Sequence, residues 1–179
     1  MALRADKHSP AEVSELSEIA DAWACELPGL DLTPFLVSAG ILRLSQQVER
    51  AFTTVARSSG IGPGDLRVLL ALRRSAPDCA MSPTALFKQL MITSGAVSKQ
   101  VDRLSELGLV ERVADPDILR GVLISLKPAG RTIAEDAMLR ISTSFCGLEN
   151  LGATEAGHAL DLLGRLQQTM DAAESAERA

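Results

Sequence analysis

The sequence predicts a mainly α-helical protein with one small β-hairpin, on three observations. First, apolar residues such as Val13, Leu16 and Ala20 recur at the spacing of one helix face, and similar stripes follow elsewhere in the chain. Second, residues 109–113 and 121–126 alternate apolar and polar side chains, which is the period of a half-buried strand. Third, aromatic residues make up only 3% of the chain, so leucine, valine, isoleucine and alanine must form the core, as is typical of packed helices.

Capping residues set the expected bounds of the N-terminal helices. Serine or threonine followed by proline is a common helix start, because the hydroxyl accepts a backbone N–H and proline suits the first helical position. Glycine is a common stop, since it adopts the left-handed conformation without strain. On these signals we expect three helices, running from Ser9 to Pro28, from Thr33 to Ser59 and from about Pro63 to Ser75.

The segment 82–127 has the pattern of two short helices followed by a hairpin. Ser82 begins the helix SPTALFKQL, and a tight turn at residues 91–93 leads into SGAVSKQVDRLSELG, which ends at Gly108. The two strands come next, joined by the turn-rich connector ADPDILR. Helix, turn, helix and hairpin is the order of a winged helix-turn-helix lobe.

Two further apolar stripes after Pro128 predict two C-terminal helices. The expected organisation is therefore N-terminal helices over 1–60, a winged helix-turn-helix lobe over 61–127 and C-terminal helices over 128–179. No Gly/Ser linker separates these parts, so the sequence does not predict domains tethered by a flexible chain.

Charge is distributed unevenly along the chain. The formal net charge is −5, but residues 32–127 together carry +4 and the two flanking segments together carry −9. A basic centre in an acidic protein is typical of a nucleic-acid-binding face. No apolar run approaches the roughly 18 residues of a membrane span, and the N-terminus lacks the apolar stretch of a signal peptide. We therefore expect a cytoplasmic protein with no membrane partner.

Catalytic and metal-binding motifs are not found in the sequence. It has no phosphate-binding glycine loop, no HExxH and no nucleophile elbow. His8 and His158 are its two histidines, and neither lies in a motif with a carboxylate or a cysteine. The three cysteines, Cys25, Cys79 and Cys146, are widely spaced and form no zinc pattern. We therefore expect neither an enzyme nor a bound cofactor or metal.

The chain resembles the MarR family of bacterial transcription factors in one long block. That block reads SPTALFKQLMITSGAVSKQVDRLSELGLVERVADPD and is followed by LRGVLISLKPAG. The similarity extends from about residue 34 to the last helix, and WACELPGLDLTPFLV is similar to the PecS-like branch of the family. The resemblance implies a ligand-responsive repressor that binds a palindromic operator. It also implies a homodimer whose N- and C-terminal helices interlock.

The resemblance makes the second short helix the DNA-recognition helix, and its residue pattern agrees. One face is apolar, and the other is small or polar, as hydrogen bonding to bases in the major groove requires. Gln100 is expected to bind adenine, and Lys99 or Arg103 to bind guanine or phosphate. The residues expected to contact double-stranded DNA are Ser82, Thr84, Thr93, Ser94, Gly95, Ser98, Lys99, Gln100, Arg103 and Arg120.

The hairpin departs from the family pattern near its tip. Arg120 matches the family's wing arginine, and an arginine at a hairpin tip suits a narrow minor groove. The family's aspartate two residues earlier is replaced by Ile118, which is followed by Leu119. We expect these two side chains to pack on the lobe, to contact a sugar face of DNA, or to make the wing flexible.

The resemblance also implies an effector site. In urate-responsive members of the PecS-like branch, one tryptophan, one aspartate and two arginines bind the ligand. Trp23 and Arg112 match two of those positions, whereas Arg67 replaces the aspartate and Gln100 replaces the other arginine. An arginine in place of an acid favours an anionic ligand. We therefore expect an aromatic acid, bound by Trp23, Arg67 and Arg112, rather than urate.

Other interpretations remain open at this stage. Trp23 is equally compatible with an ordinary core position, and Arg67 with a surface ion pair to Asp65 or Glu49. A redox-sensing repressor that uses a cysteine such as Cys25 is a second possibility. A relative that acts as a protein-interaction module is a third, and the apolar wing tip suggests it.

Overall fold

A computed structural model describes residues 10–75, 77–90 and 94–178 of the chain. The chain divides into two compact units, Met1–Thr53 and Thr54–Ala179, which are described separately below. Within the described residues the order of elements is helical on both sides of a small antiparallel sheet, as the sequence predicts. The helices are α1 Pro10–Glu26, α2 Thr33–Ser58, α3 Pro63–Arg74, α4 Pro83–Leu90, α5 Ser94–Glu106, α6 Pro128–Thr143 and α7 Ala153–Glu177. No described helix is long and apolar enough to cross a bilayer.

The first unit consists of α1 and the greater part of α2. The carboxylate of Asp31 accepts a hydrogen bond from the backbone N–H of Thr33 at 3.0 Å, at the start of α2. This hydrogen bond lowers the pKa of the Asp31 carboxyl, because it stabilises the charged form. Large apolar side chains of the unit remain exposed, among them Trp23 at 46% and Leu42 at 62%. Trp23 is therefore not a fully buried core anchor within a single chain.

The second unit has its core around α3. This helix packs against α4, α5 and α6 and against the sheet. Its buried face is aliphatic except for Asp65, and the core continues into α4, α5 and the strands. The most deeply buried large aliphatic residues are Leu66, Val68, Leu69, Leu72, Leu86, Val97, Val101, Leu104, Val110 and Ile124. As the composition predicts, aliphatic side chains form most of the core of the described residues, which also contains Phe145.

A three-stranded antiparallel sheet flanks the two short helices: one short strand comes before α4, and the hairpin comes after α5. Its order is β1-β3-β2, with β1 Ala80–Met81, β2 Val110–Ala114 and β3 Val122–Leu126. The predicted hairpin is confirmed: β2 and β3 are antiparallel, with Val110 paired with Leu126 and Ala114 with Val122. The sequence did not predict β1, because two residues are too short to show an alternating pattern. Strand β1 covers the outer edge of β3, so the sheet is larger than the expected two-stranded wing.

Helix α6 meets the sheet at a glycine. A Cβ on Gly130 would overlap the carbonyl oxygen of Leu109 and lie 2.9 Å from Leu126 Cδ1. Only glycine therefore allows the first turn of α6 to pack so closely on the base of the hairpin. Through this contact α6 holds the hairpin against the body of the lobe.

Helix α7 differs from the others in the unit. It is 25 residues long and contains no buried residue. Several of its large apolar side chains are more than half exposed, including Leu160 at 70% and Met170 at 60%. A helix this long with uncovered apolar side chains is typical of a surface that another molecule covers.

Candidate nucleic-acid interface

Helix α4 precedes α5, the helix that the sequence predicts to be the recognition helix. A serine caps the start of α4. The hydroxyl of Ser82 accepts a hydrogen bond from the backbone N–H of Ala85 at 3.1 Å, as expected for an N-cap. Ser82 is therefore used to begin α4, while Thr84, two residues further along, is exposed. Thr93, a third residue of the expected DNA-binding set, lies outside the described residues, as does the side chain of Ser94.

Helix α5 buries the face that the sequence predicts. Val97, Val101 and Leu104 are each exposed by 1% or less, so this stripe attaches the helix to the core. Gly95, Ser98 and Lys99 are on the other side, and Ser98 and Lys99 are exposed to solvent. The predicted division of α5 into a core face and an open face is therefore present in the structure.

The open face of α5 changes character along its length. Gly95, Ser98 and Lys99 form its N-terminal half, and Asp102 and Glu106 lie in its C-terminal half. In helix-turn-helix proteins the N-terminal residues of the recognition helix contact base edges. The C-terminal half also carries Arg103 and has a net negative charge, whereas Lys99 gives the N-terminal half a net positive charge, so the N-terminal half is the end better suited to the major groove.

Gln100 is turned away from the open face. Its Nε2 lies against Gly64 at the start of α3, so closely that a Cβ at position 64 would overlap it. Its Oε1 is buried and has no hydrogen-bond partner among the described residues. In this conformation Gln100 does not present its amide to a base, which differs from the sequence-based expectation of a bidentate contact with adenine. Helical spacing alone does not show that a small residue on α3 leaves room for this side chain.

Arg103 is held by a carboxylate from α3. Its Nε donates to Asp65 Oδ2 at 2.8 Å, and its Nη2 donates to Asp65 Oδ1 at 2.5 Å. Asp65 is almost fully buried, with a side-chain exposure of 1%, whereas that of Arg103 is 46%. The hydrogen bonds to Asp65 raise the pKa of Arg103 above its ordinary value, so the guanidinium stays charged.

The same carboxylate also binds the backbone where α3 begins. Asp65 Oδ2 accepts a hydrogen bond from the N–H of Gly62 at 3.1 Å, which satisfies a donor at the start of the helix. Asp65 therefore joins the N-terminus of α3 to the recognition helix. Asp65 is therefore a buried partner of Arg103 and not a surface carboxylate.

A second ion pair joins the recognition helix to the hairpin. Arg112 on β2 donates to Asp102 Oδ1 on α5 at 2.6 Å. Both side chains are about half exposed, at 47% and 57%, so solvent screens this pair more than the pair at Asp65. Arg112, which the resemblance assigns to the effector site, thus already has a partner on α5.

The wing tip is shaped by its backbone. The N–H of Asp115 donates to the carbonyl of Gly121 at 2.9 Å, and the N–H of Gly121 donates to the carbonyl of Ile118 at 2.7 Å. Arg120, directly before Gly121, has a φ of 63°, in the left-handed region that few non-glycine residues adopt. Ile118 and Leu119 are exposed by 60% and 94%, so neither packs back on the lobe.

The cysteines differ in exposure. Cys25 and Cys146 are exposed, Cys79 is buried, and none is in a disulfide. The thiol of Cys79 lies 3.8 Å from the carbonyl oxygen of Arg73, inside the lobe. Of the three, Cys25 and Cys146 are therefore the thiols that an oxidant in solution reaches.

The lobe described above is a winged helix-turn-helix, and comparisons with known proteins define its family. A family model described as MarR family matches residues 59–120. Over 159 residues the chain is 28% identical to the HTH-type transcriptional regulator PecS of Dickeya dadantii, covering 88% of this chain and 96% of that protein. Over 102 residues it is 31% identical to the multiple antibiotic resistance protein MarR of Salmonella typhimurium, covering 56% of this chain and 67% of that protein.

A solved structure shows the same likeness in three dimensions. A mutant MarR from Escherichia coli, complexed with operator DNA, matches with a TM-score of 0.63 at 28% identity, covering 76% of this chain and 99% of that one. The chain belongs to the MarR family, a family of DNA-binding transcriptional regulators that are not enzymes. The family and the winged helix-turn-helix fold predicted from the sequence are both confirmed.

The pair between Asp65 and Arg103 predicts a specific pattern of mutational effects. We expect Asp65→Asn to lower the free energy of unfolding by about 1–3 kcal/mol, because a buried acceptor loses its charged partner. It should also weaken DNA binding, because α5 is no longer held at a fixed angle to α3. Arg103→Lys should behave similarly, since lysine does not bind a carboxylate with a planar fork. Urea unfolding and fluorescence anisotropy with an operator duplex measure the two effects.

The matched control is Asp102→Asn, which breaks the exposed ion pair on the same helix. It should cost less than about 1 kcal/mol of stability, and it should not weaken DNA binding, because it removes a negative charge from the face of α5 that is expected to meet DNA. If Asp65→Asn were as mild as this control, the buried pair would not position the recognition helix.

Proposed function

We propose that the protein is a transcriptional repressor that binds a palindromic operator as a homodimer and is released by a small anionic aromatic effector. The observation that carries the DNA-binding part is the open N-terminal half of α5. It lies on a lobe whose hairpin ends in Arg120, which gives one contact for the major groove and one for the adjacent minor groove. The relative complexed with operator DNA supports this assignment.

The residues of the expected DNA-binding set fall into three groups. Thr84, Gly95, Ser98, Lys99 and Arg120 have exposed positions in the structure and are suited to direct contact. Ser82, Gln100 and Arg103 are used for capping or packing, and act through the position of the helices. Thr93 and Ser94 remain in the proposed set on the basis of the sequence.

Salt dependence tests the DNA-binding proposal. Lys99→Ala should weaken binding to an operator duplex at all sequences and reduce the slope of log affinity against log salt by about 1 for each phosphate that is no longer neutralised. Arg178→Ala, at the exposed end of α7, is the control and should leave the slope unchanged. The DNA is the intergenic segment beside the protein's own gene, and affinity is measured by anisotropy at several KCl concentrations. Binding that does not fall with salt would contradict the proposal.

The homodimer is proposed because the chain leaves apolar side chains uncovered on its terminal helices. In α7 these include Leu160 and Leu163, at 70% and 57% exposure. In α1 the exposed Trp23 is part of a similar surface. Burying such surface in a second copy is favourable by about 25 cal/mol for each Å² removed from water, and obligate dimer interfaces are large and apolar.

Light scattering tests the dimer. The wild-type protein should have twice the monomer mass at micromolar concentration. Leu160→Asp should shift it towards the monomer, because a charge is placed where an apolar contact is expected, while the exposed position keeps the monomer fold intact. Leu119→Asp, an equally drastic change at the wing tip, should remain dimeric. A wild-type protein of monomer mass would refute this part of the proposal.

The proposed effector is an aromatic acid, with Trp23, Arg67 and Arg112 as the residues expected to bind it. The ion pair of Arg112 with Asp102 suggests how binding could release DNA. A ligand carboxylate that takes Arg112 as its partner leaves Asp102 unpaired on the DNA-facing helix. An unpaired carboxylate there repels phosphate, so the ligand and DNA oppose each other. By linkage, DNA must weaken ligand binding by the same factor.

Tryptophan fluorescence tests the effector. The single tryptophan of the chain should be quenched by benzoates or cinnamates, and Arg67→Ala should reduce that quenching about tenfold in apparent affinity, as expected for the removal of a charge-assisted pair. Arg178→Ala is the control and should titrate as the wild type does. Quenching by urate alone, or quenching by carboxylates that Arg67→Ala does not alter, would argue against this site.

A further inference from the structure

The wing tip presents a leucine that the lobe does not cover. Leu119 is 94% exposed, the highest value among the large apolar side chains that the structure describes. Ile118 beside it is 60% exposed. An isolated exposed leucine is common on protein surfaces, but this one stands directly before Arg120, the residue proposed to enter the minor groove.

Hydrogen bonds within the turn fix the conformation of the tip. Asp117 N–H donates to Asp115 Oδ1 at 3.0 Å, and the backbone hydrogen bonds between Asp115 and Gly121 and between Gly121 and Ile118 close the turn. A Cβ on Gly121 would lie 2.7 Å from Asp115 Cβ and 2.8 Å from Ile118 Cβ, so the turn is tightly packed against itself. The leucine is therefore presented outward by a defined turn.

Charge does not explain how this tip would bind DNA. Asp115 and Asp117 oppose the single charge of Arg120, so the segment 115–121 has a net charge of −1. Phosphate attraction from such a tip is weak, since most of the affinity of DNA-binding proteins comes from basic groups near phosphates. A contact that depends on the burial of an apolar side chain does not require a basic group near a phosphate.

We propose, on the basis of the DNA-binding function argued above, that Leu119 is an apolar minor-groove contact. Its side chain enters the groove beside the guanidinium of Arg120 and is buried against deoxyribose and base-edge carbons. Leucine and isoleucine are among the side chains that minor-groove-binding proteins insert in this way. The wing is thus held on DNA by water exclusion around Leu119, and Arg120 supplies the one electrostatic contact.

The experiment compares Leu119→Ala with Leu107→Ala, which removes the same atoms from a leucine that is 53% exposed just beyond the end of α5. Operator affinity is measured by anisotropy over a range of KCl concentrations. Leu119→Ala should weaken binding by about tenfold or more, as expected for removing roughly three buried carbons, without changing the salt slope. Leu119→Met should restore most of the affinity, because it returns apolar area without charge. Arg120→Ala should instead reduce the slope.

A minor-groove competitor separates this contact from one elsewhere on DNA. Netropsin bound to the operator flanks should remove the difference between the wild type and Leu119→Ala. The inference is overturned if Leu119→Ala binds as the wild type does, if Leu107→Ala weakens binding as much, or if the difference survives netropsin. A wild-type protein that binds no DNA would refute the proposed function itself, so the two failures are distinguishable.

Discussion

The buried carboxylate of Asp65 is the constraint on which the DNA-binding lobe depends. A charged group with 1% exposure is costly to desolvate, and it is stable here because Arg103 and the N–H of Gly62 supply its hydrogen bonds. The planar guanidinium fixes both the distance and the angle between the two side chains. Aliphatic packing attaches α5 to the core, and this pair sets how α5 is rotated on it.

Two ion pairs that differ in solvent exposure connect the recognition helix to the rest of the lobe. In the first pair the carboxylate of Asp65 is buried although Arg103 is half exposed, and in the pair between Asp102 and Arg112 both partners are exposed and screened. The buried carboxylate of the first pair is suited to holding the helix in a fixed orientation. The second pair contributes little to the free energy of unfolding, because both partners are exposed. Under the proposed function, this second pair is the one that a ligand carboxylate exchanges.

Much of the fold could be predicted from the sequence, and the limits are physical. Serine–proline starts and glycine stops placed the helix ends within a few residues, and the stripe of Val97, Val101 and Leu104 correctly identified the buried face of α5. The direction of Arg103 could not be predicted, because its partner lies 38 residues earlier in the chain and Asp65 has no local pattern that marks it as buried. The orientation of the Gln100 side chain could not be predicted for a similar reason, because Gly64 on another helix creates the space for it.

The wing tip forms a closed turn although its sequence departs from the family pattern. Hydrogen bonds between backbone groups close the turn from Asp115 to Gly121, so its geometry does not depend on a carboxylate at position 118. Ile118 therefore removes a charge that would compete for Arg120 and adds apolar surface beside it. Among the described residues no carboxylate forms an ion pair with Arg120, although Asp115 and Asp117 in the same turn give the tip a net charge of −1. Under the proposed function, such a tip gives up a fixed orientation of the arginine for apolar contact area, because a narrow minor groove accepts both kinds of contact together.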